Sequence, residues 1–194
     1  YAGTGKTSLI SALVRTMEQL ERKTVLLAPT GRAAKVFSSY SGKSAHTIHK
    51  CIYRQRSIDG GMLFTLSENR HRNTLFIVDE ASMIPNDSGS VPGSGSLLDN
   101  LVEFVYSGQG CSMLLLGDTA QLPPVGEADS PALSESYLRS MFLEVTAAGL
   151  RQVMRQADSS GILYNATMLR NRIDDEDAFT LPDIRLKGFD DICC

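Results

Sequence analysis

Two clusters of residues have the types and spacing needed for phosphate chemistry. The sequence opens YAGTGKT, and Gly5-Lys6-Thr7 stands immediately before an apolar run at helical spacing, Leu9, Ile10, Leu13, Val14, Met17 and Leu20. This is the GK[ST] end of a P-loop in the context the chemistry needs. Glycines let the chain curl so that the N–H groups of Gly3, Thr4 and Gly5 converge on one phosphate, and the helix start adds its positive end. Lys6 then reaches the terminal phosphates, and Thr7 offers its hydroxyl to Mg²⁺. The complete pattern has an earlier glycine and a strand before it, so the chain is expected to begin inside this motif.

The second cluster is LFIVDEAS, which puts Asp79 and Glu80 at the tip of a short buried strand. One carboxylate there can hold the Mg²⁺ shell while its neighbour orients or deprotonates an attacking water. Acids at strand ends are where nucleotide-binding sheets place them. Asp79-Glu80 can also cap a following helix without giving up that role.

Elements that could position these residues follow from the hydrophobic pattern. Thr7–Leu20, Gly31–Tyr40, Leu97–Tyr106 and Ile162–Arg172 read as helices, and Thr47–Tyr53 reads as a weaker one. Thr24–Ala28, Leu75–Val78 and Ser112–Leu116 are short apolar runs that read as buried strands, with Met141–Val145 as a fourth. Alternation of strands and helices predicts an α/β fold with a mainly parallel sheet flanked by helices. Residues 86–96 (NDSGSVPGSGS) read as a flexible loop. Residues 51–66 carry two β-rich runs around Asp59-Gly60-Gly61, a hairpin signal.

Composition limits the function classes. With 194 residues, 42% of them hydrophobic and 21% charged, the chain can bury a core without disulfide or metal staples. Its four cysteines fit no zinc spacing, which favours a reducing compartment. No apolar run approaches the roughly 18 residues of a membrane span, and no leader opens the sequence, so a cytoplasmic protein with no membrane partner is expected. The net charge of −3 hides an asymmetry: residues 1–75 hold 12 Lys+Arg against 4 Asp+Glu, whereas the remainder holds 7 against 18. Only the N-terminal part suits a polyanion. Within it Arg32, Lys35, Lys43, Lys50, Arg54 and Arg56 interleave with aromatic and imidazole rings, a pattern suited to single-strand binding. Phe37 and Tyr40 fit core packing better, while His46 and His49 fit either a structural or a binding role.

A third strand end, Gly117-Asp118-x-x-Gln121-Leu122-Pro123-Pro124-Val125, resembles motif III of superfamily 1 helicases, particularly the RecD-like and Dda-like branch. Other stretches match in family order: Tyr1–Thr7 resembles motif I, Ala28–Ala34 (APTGRAA) motif Ia, Ala45–His49 the segment after it, Val78–Met83 motif II and Leu150–Gln156 (LRQVMRQ) motif IV. The resemblance implies a RecA-like lobe of an ATP-driven translocase moving 5′ to 3′ on single-stranded DNA, with ATP and Mg²⁺ held against a second RecA-like lobe. It also implies that Gln121 and Arg155 contact the γ-phosphate, and that the strand-end turn Pro29, Thr30, Gly31 holds the DNA backbone. With Arg32, His46, Thr47, His49, Arg54 and Arg56, this turn makes up the candidate DNA face. The 51–66 hairpin sits where RecD-like helicases insert a strand-separating pin, and it fits a plain surface hairpin equally well.

The expected division is an ATPase lobe over residues 1–150, followed by the motif IV segment and the start of an inter-lobe or second-lobe region over 151–194. Motifs V and VI are not found, so the chain alone is expected to be inactive. Another P-loop enzyme, such as a kinase or a PhoH-like ATPase, does not account for QLPP together with LRQVMRQ. A non-catalytic nucleic-acid-binding module with an unused P-loop is the remaining alternative, and intact Lys6, Asp79, Glu80 and Gln121 argue against it.

Overall fold

The computed structural model describes residues 5–58, 61–86, 95–121, 123–124, 126–127, 129–150, 160–174, 184–186 and 188–189. In chain order the elements are α1 (Lys6–Gln19), β1 (Lys23–Ala28), α2 (Gly31–Ser41), β2 (Ala45–Thr47), α3 (Ile48–Ile52), β3 (Tyr53–Ile58), β4 (Gly61–Leu66), β5 (Thr74–Val78), α4 (Leu97–Ser107), β6 (Ser112–Leu115), α5 (Glu135–Ser140) and α6 (Gly161–Asp174). Short 3-10 turns lie at Ala81–Met83 and Pro131–Leu133. None of the described helices is long and apolar enough to cross a membrane.

Residues 7–148 form one compact unit. Its centre is a parallel sheet in the order β2-β1-β5-β6. Successive side chains on a strand point to opposite faces, and the two cores divide accordingly. Leu26 of β1 and Ile77 of β5 pack with Ile10 and Val14 of α1 and Phe37 of α2. Leu27, Phe76 and Val78 face the other way, onto α3 and the apolar stripe of α4. Burial on both faces explains why these strands read as continuous apolar runs. The helix ends are fixed locally. Thr30 Oγ1 accepts from Ala33 N at the start of α2, and Gly42 closes that helix in the left-handed region at φ 73°. Ser96 caps α4 by accepting from Asp99 N.

Three expectations need correction. Met141–Val145 forms no strand: the N–H groups of Met141 and Phe142 close the end of α5 on Leu138 and Arg139 carbonyls, and Arg139 Nη2 takes the Val145 carbonyl at 2.7 Å. Phe142 stands at φ 60° and is 99% exposed, which breaks the extended run. The helix expected over Thr47–Tyr53 is shorter, because Thr47 ends β2 and caps α3 while Tyr53 starts β3. Cys51 and Ile52 therefore belong to α3, and the antiparallel hairpin runs over 53–66, in register from Tyr53↔Leu66 to Ile58↔Gly61. Most of the loop expected over 86–96 lies outside the described residues.

The second unit comprises residues 1–6 and 149–194. Within it, Asn165 of α6 exchanges bonds with the Arg185 backbone at 2.8 Å in both directions, and the Arg185 guanidinium lies over the rings of Tyr164 and Phe189 at 5.9 and 5.6 Å.

Candidate nucleotide site

The sheet order reverses between β1 and β5, the place where parallel α/β sheets open a crevice at the C-terminal strand ends. Asp79 and Glu80 emerge from β5 at this edge. Asp79 is 6% exposed, and its N–H donates to Leu27 O of β1 at 3.0 Å. On the other side Leu116 N donates to Val78 O at 2.9 Å and Ala81 N donates to Leu116 O at 2.8 Å. The ladder thus continues past the strands on both sides of the acidic pair. Between these anchors Glu80 takes φ 54°, ψ 37°, a left-handed conformation in an ordinary side-chain-bearing residue. Such a conformation costs on the order of 1–3 kcal/mol and persists where the surroundings over-determine it.

The Asp79 side chain is also held. Tyr40 Oη donates to Asp79 Oδ2 at 2.5 Å. Tyr40 itself stacks on the buried Phe37 ring at 5.2 Å, and its main-chain carbonyl accepts from Ser11 Oγ of α1 at 2.8 Å. Ser11 Oγ also lies 2.9 Å from Thr7 O, so its single proton is shared between the first turn of α1 and the end of α2. Burial above all, then the bond to Asp79 and the charges of Asp79 and Glu80, push the Tyr40 phenol above the ordinary tyrosine range, which keeps it a donor. Thr7 and Asp79 therefore sit on elements joined by a short chain of hydrogen bonds. Tyr40 is the residue at the candidate site that spacing alone missed, since an aromatic at helical spacing reads as packing and its partner is 39 residues away in sequence.

The third strand end packs against the second. A Cβ on Gly117 would meet Ser82 N at 3.0 Å and Leu133 Cδ1 at 2.6 Å, so this glycine permits the close approach of the two motifs. Asp118 is buried, its Oδ1 accepts from Ala120 N at 3.1 Å, and its carbonyl accepts from Gln121 N at 3.1 Å. The resulting turn presents Gln121 on the surface. Lys6 is the first residue of α1 and is half-buried. Gly5 has φ 85°, a conformation that suits glycine. Gly3, Thr4 and Arg155 lie outside the described residues.

The candidate DNA face is at the same sheet edge. The parallel register Ala28↔Thr47 sets the turn after β1 beside the turn after β2. Thr30, Gly31, Arg32 and His46 are exposed, Pro29, Thr47 and His49 half-buried. Thr47 Oγ1 is engaged as the α3 cap, accepting from Lys50 N. His49 lies 5.8 Å from the Tyr53 ring, and burial lowers its pKa. Arg54 is exposed on β3, and Arg56 lies two residues further along the same strand. The hairpin base is anchored by Asn100 Nδ2 donating to Tyr53 Oη at 2.8 Å and by Ser67 N donating to Ile52 O at 2.7 Å.

A parallel sheet with a GKT-opened helix, a strand-end acidic pair and a third polar strand end defines a nucleotide-binding α/β lobe of the RecA-like kind. Comparison with known proteins gives the family. An AAA domain family model, AAA_30, matches residues 1–181, and the chain belongs to that family. It is similar to the ATP-dependent RecD2 DNA helicase of Deinococcus radiodurans, 32% identical over 165 residues that cover 84% of this chain and 20% of the relative. It is 28% identical over 176 residues to the ATP-dependent DNA helicase dda of Enterobacteria phage T4, covering 88% of this chain and 36% of that protein. The structure of Bacteroides Pif1 bound to ssDNA superposes with a TM-score of 0.51 at 22% identity, over 91% of this chain and 43% of that one. The ADP-AlF4 complex of a Bacteroides Pif1 gives 0.52, over 93% and 42%. The expected RecA-like lobe is thus met in fold, and the expected likeness to RecD-like and Dda-like helicases is met in these relatives. The chain spans between a fifth and under a half of the length of these relatives.

Proposed function

We propose that this chain is the ATPase motor lobe of a DNA helicase, coupling ATP hydrolysis to 5′ to 3′ movement on single-stranded DNA. The observation that supports this most is the joining of the Thr7 turn to buried Asp79 through Ser11 and Tyr40, with Glu80 beside Asp79 where the sheet order reverses. A threonine hydroxyl and a carboxylate are hard oxygen donors, a set that suits Mg²⁺. When bound, that ion neutralises charge on the phosphate oxygens. The chain's own residues do the rest. The N–H groups of Gly3, Thr4 and Gly5 and the Lys6 ammonium hold the phosphates of ATP, and Glu80 orients the attacking water and takes its proton. Gln121 and Arg155 contact the γ-phosphate, where the planar guanidinium of Arg155 matches the spreading charge.

DNA would lie on Pro29, Thr30, Gly31 and Arg32 and on the adjoining His46, Thr47 and His49. A Cβ at Gly31 would have nothing within 4 Å, so the fold leaves this turn open to a close-lying backbone. Arg54 and Arg56 would extend the phosphate contacts onto the hairpin, which we read as the strand-separating pin. A second RecA-like lobe completes the ATP cleft, and the work is done in the cytoplasm.

The test is ATP turnover by the full-length protein with and without single-stranded DNA, beside Glu80→Gln. DNA-stimulated turnover abolished by Glu80→Gln, with ATP still bound, is the expected result. DNA binding with no turnover in the unsubstituted protein would instead mark a non-catalytic binding module.

A further inference from the structure

We infer that Tyr40 is a positioning residue for the metal-binding carboxylate, fixing Asp79 relative to Thr7 from behind the nucleotide site. The inference rests on the nucleotide-site reading and adds to it a residue outside every motif quoted above. An aspartate carboxylate turns through a broad torsional range about its last bond, so burial alone does not set the direction of its oxygens. The Tyr40 hydroxyl does set it, by donating to Oδ2, and that oxygen keeps further acceptor capacity. The phenol is a fixed reference because it is held twice more. Its ring stacks on Phe37, which is fully buried, and its carbonyl accepts from Ser11, whose proton is shared with Thr7 O in the first turn of α1. One side chain and its own carbonyl thus tie together the two elements that carry the candidate metal ligands, Thr7 and Asp79.

Hydrogen-bond partners of this outer kind typically account for 10–100-fold in metal affinity. Tyr40→Phe removes only the hydroxyl. It keeps the ring stack and the carbonyl bond, so the α1–α2 contact is retained.

The experiment is equilibrium binding of a fluorescent ADP analogue to the full-length protein, titrated with Mg²⁺ and repeated in EDTA, for the unsubstituted protein and Tyr40→Phe. Mn²⁺ binding by electron paramagnetic resonance serves as an independent readout. The expected result is a Mg²⁺ midpoint raised about 10–100-fold in Tyr40→Phe, with nucleotide affinity in EDTA unchanged. Unchanged Mg²⁺ and Mn²⁺ midpoints would overturn the role of Tyr40 and leave the nucleotide site standing. So would equal weakening with and without metal, which marks a general packing defect. If Mg²⁺ has no effect on nucleotide binding in the unsubstituted protein, the nucleotide-site reading itself fails, and this inference fails with it.

Discussion

The left-handed backbone at Glu80 should reverse the usual ranking of alanine and glycine. Elsewhere in a folded element, glycine is less stable than alanine by roughly 0.5–1 kcal/mol, because the unfolded glycine chain has more freedom to lose. At φ 54°, ψ 37° a Cβ lies too close to the following carbonyl oxygen, a cost of roughly 1–2 kcal/mol that glycine escapes. The backbone cannot relax to avoid it, since the flanking N–H groups of Asp79 and Ala81 are bonded to Leu27 O and Leu116 O at 3.0 and 2.8 Å. Taking the difference, Glu80→Gly should be more stable than Glu80→Ala by about 0.5–1 kcal/mol. Both variants lose the same carboxylate and whatever it contacts, so those contributions cancel in the comparison. Urea unfolding of the two variants side by side measures the difference directly, and neither should turn over ATP. If alanine proves the more stable by its ordinary margin, then the two strand-end hydrogen bonds do not force the left-handed turn and the account of a strained acidic pair is wrong.

Two further outcomes follow from the neighbouring face. Gly31→Ala, at a position with open space around its Cβ and no positive φ, should raise stability by roughly 0.4–1 kcal/mol while weakening single-stranded DNA binding; a denaturant midpoint with a DNA titration checks both, and unimpaired DNA affinity would remove this turn from the interface. His49 has a pKa lowered by burial, so the native state holds its proton less tightly than the unfolded chain does. Its contribution to stability is complete above the unfolded value of about 6.5 and is lost as pH falls through the lower folded value. His49→Gln should therefore flatten the loss of stability between pH 7.5 and 5.5, and an unchanged pH profile in urea unfolding would count against it.

The legible parts of the fold share a physical cause. β1 and β5 could be read because strands packed between two helical layers are apolar at nearly every position, and β6, though only half-buried, carries the same kind of apolar run. The helices could be read because one buried stripe repeats at their own period. β2 was invisible: it is three residues long, only Ala45, His46 and Thr47, and pairs with just the second half of β1. The Met141–Val145 run has strand composition, but Arg139 takes the carbonyl that a neighbouring strand would have needed. In the candidate site, Thr7, Asp79, Glu80 and Gln121 could be singled out because the motif residues are close in sequence to the strand ends and the helix start that present them. Tyr40 and the turned backbone of Glu80 could not, since one depends on a contact made in three dimensions and the other on a dihedral angle.

This division also separates what substitutions at the two faces should do. The acidic pair is fixed by backbone bonds to the chain on either side and by a phenol anchored on α1 and on Phe37, so small shifts in any support displace the oxygen that we propose meets a metal. Errors there act through geometry and should appear in metal dependence before they appear in stability. The turn at Thr30–Gly31 is exposed, and the Thr30 side chain is engaged in the single cap bond to Ala33 N, leaving the adjacent surface clear. Changes there alter the surface offered to a ligand while the supports of Asp79 stay in place. The α2 helix begins at the one and carries Tyr40 in its last turn beside the other, so a single rigid element of 11 residues keeps the open turn and the anchored carboxylate in fixed register.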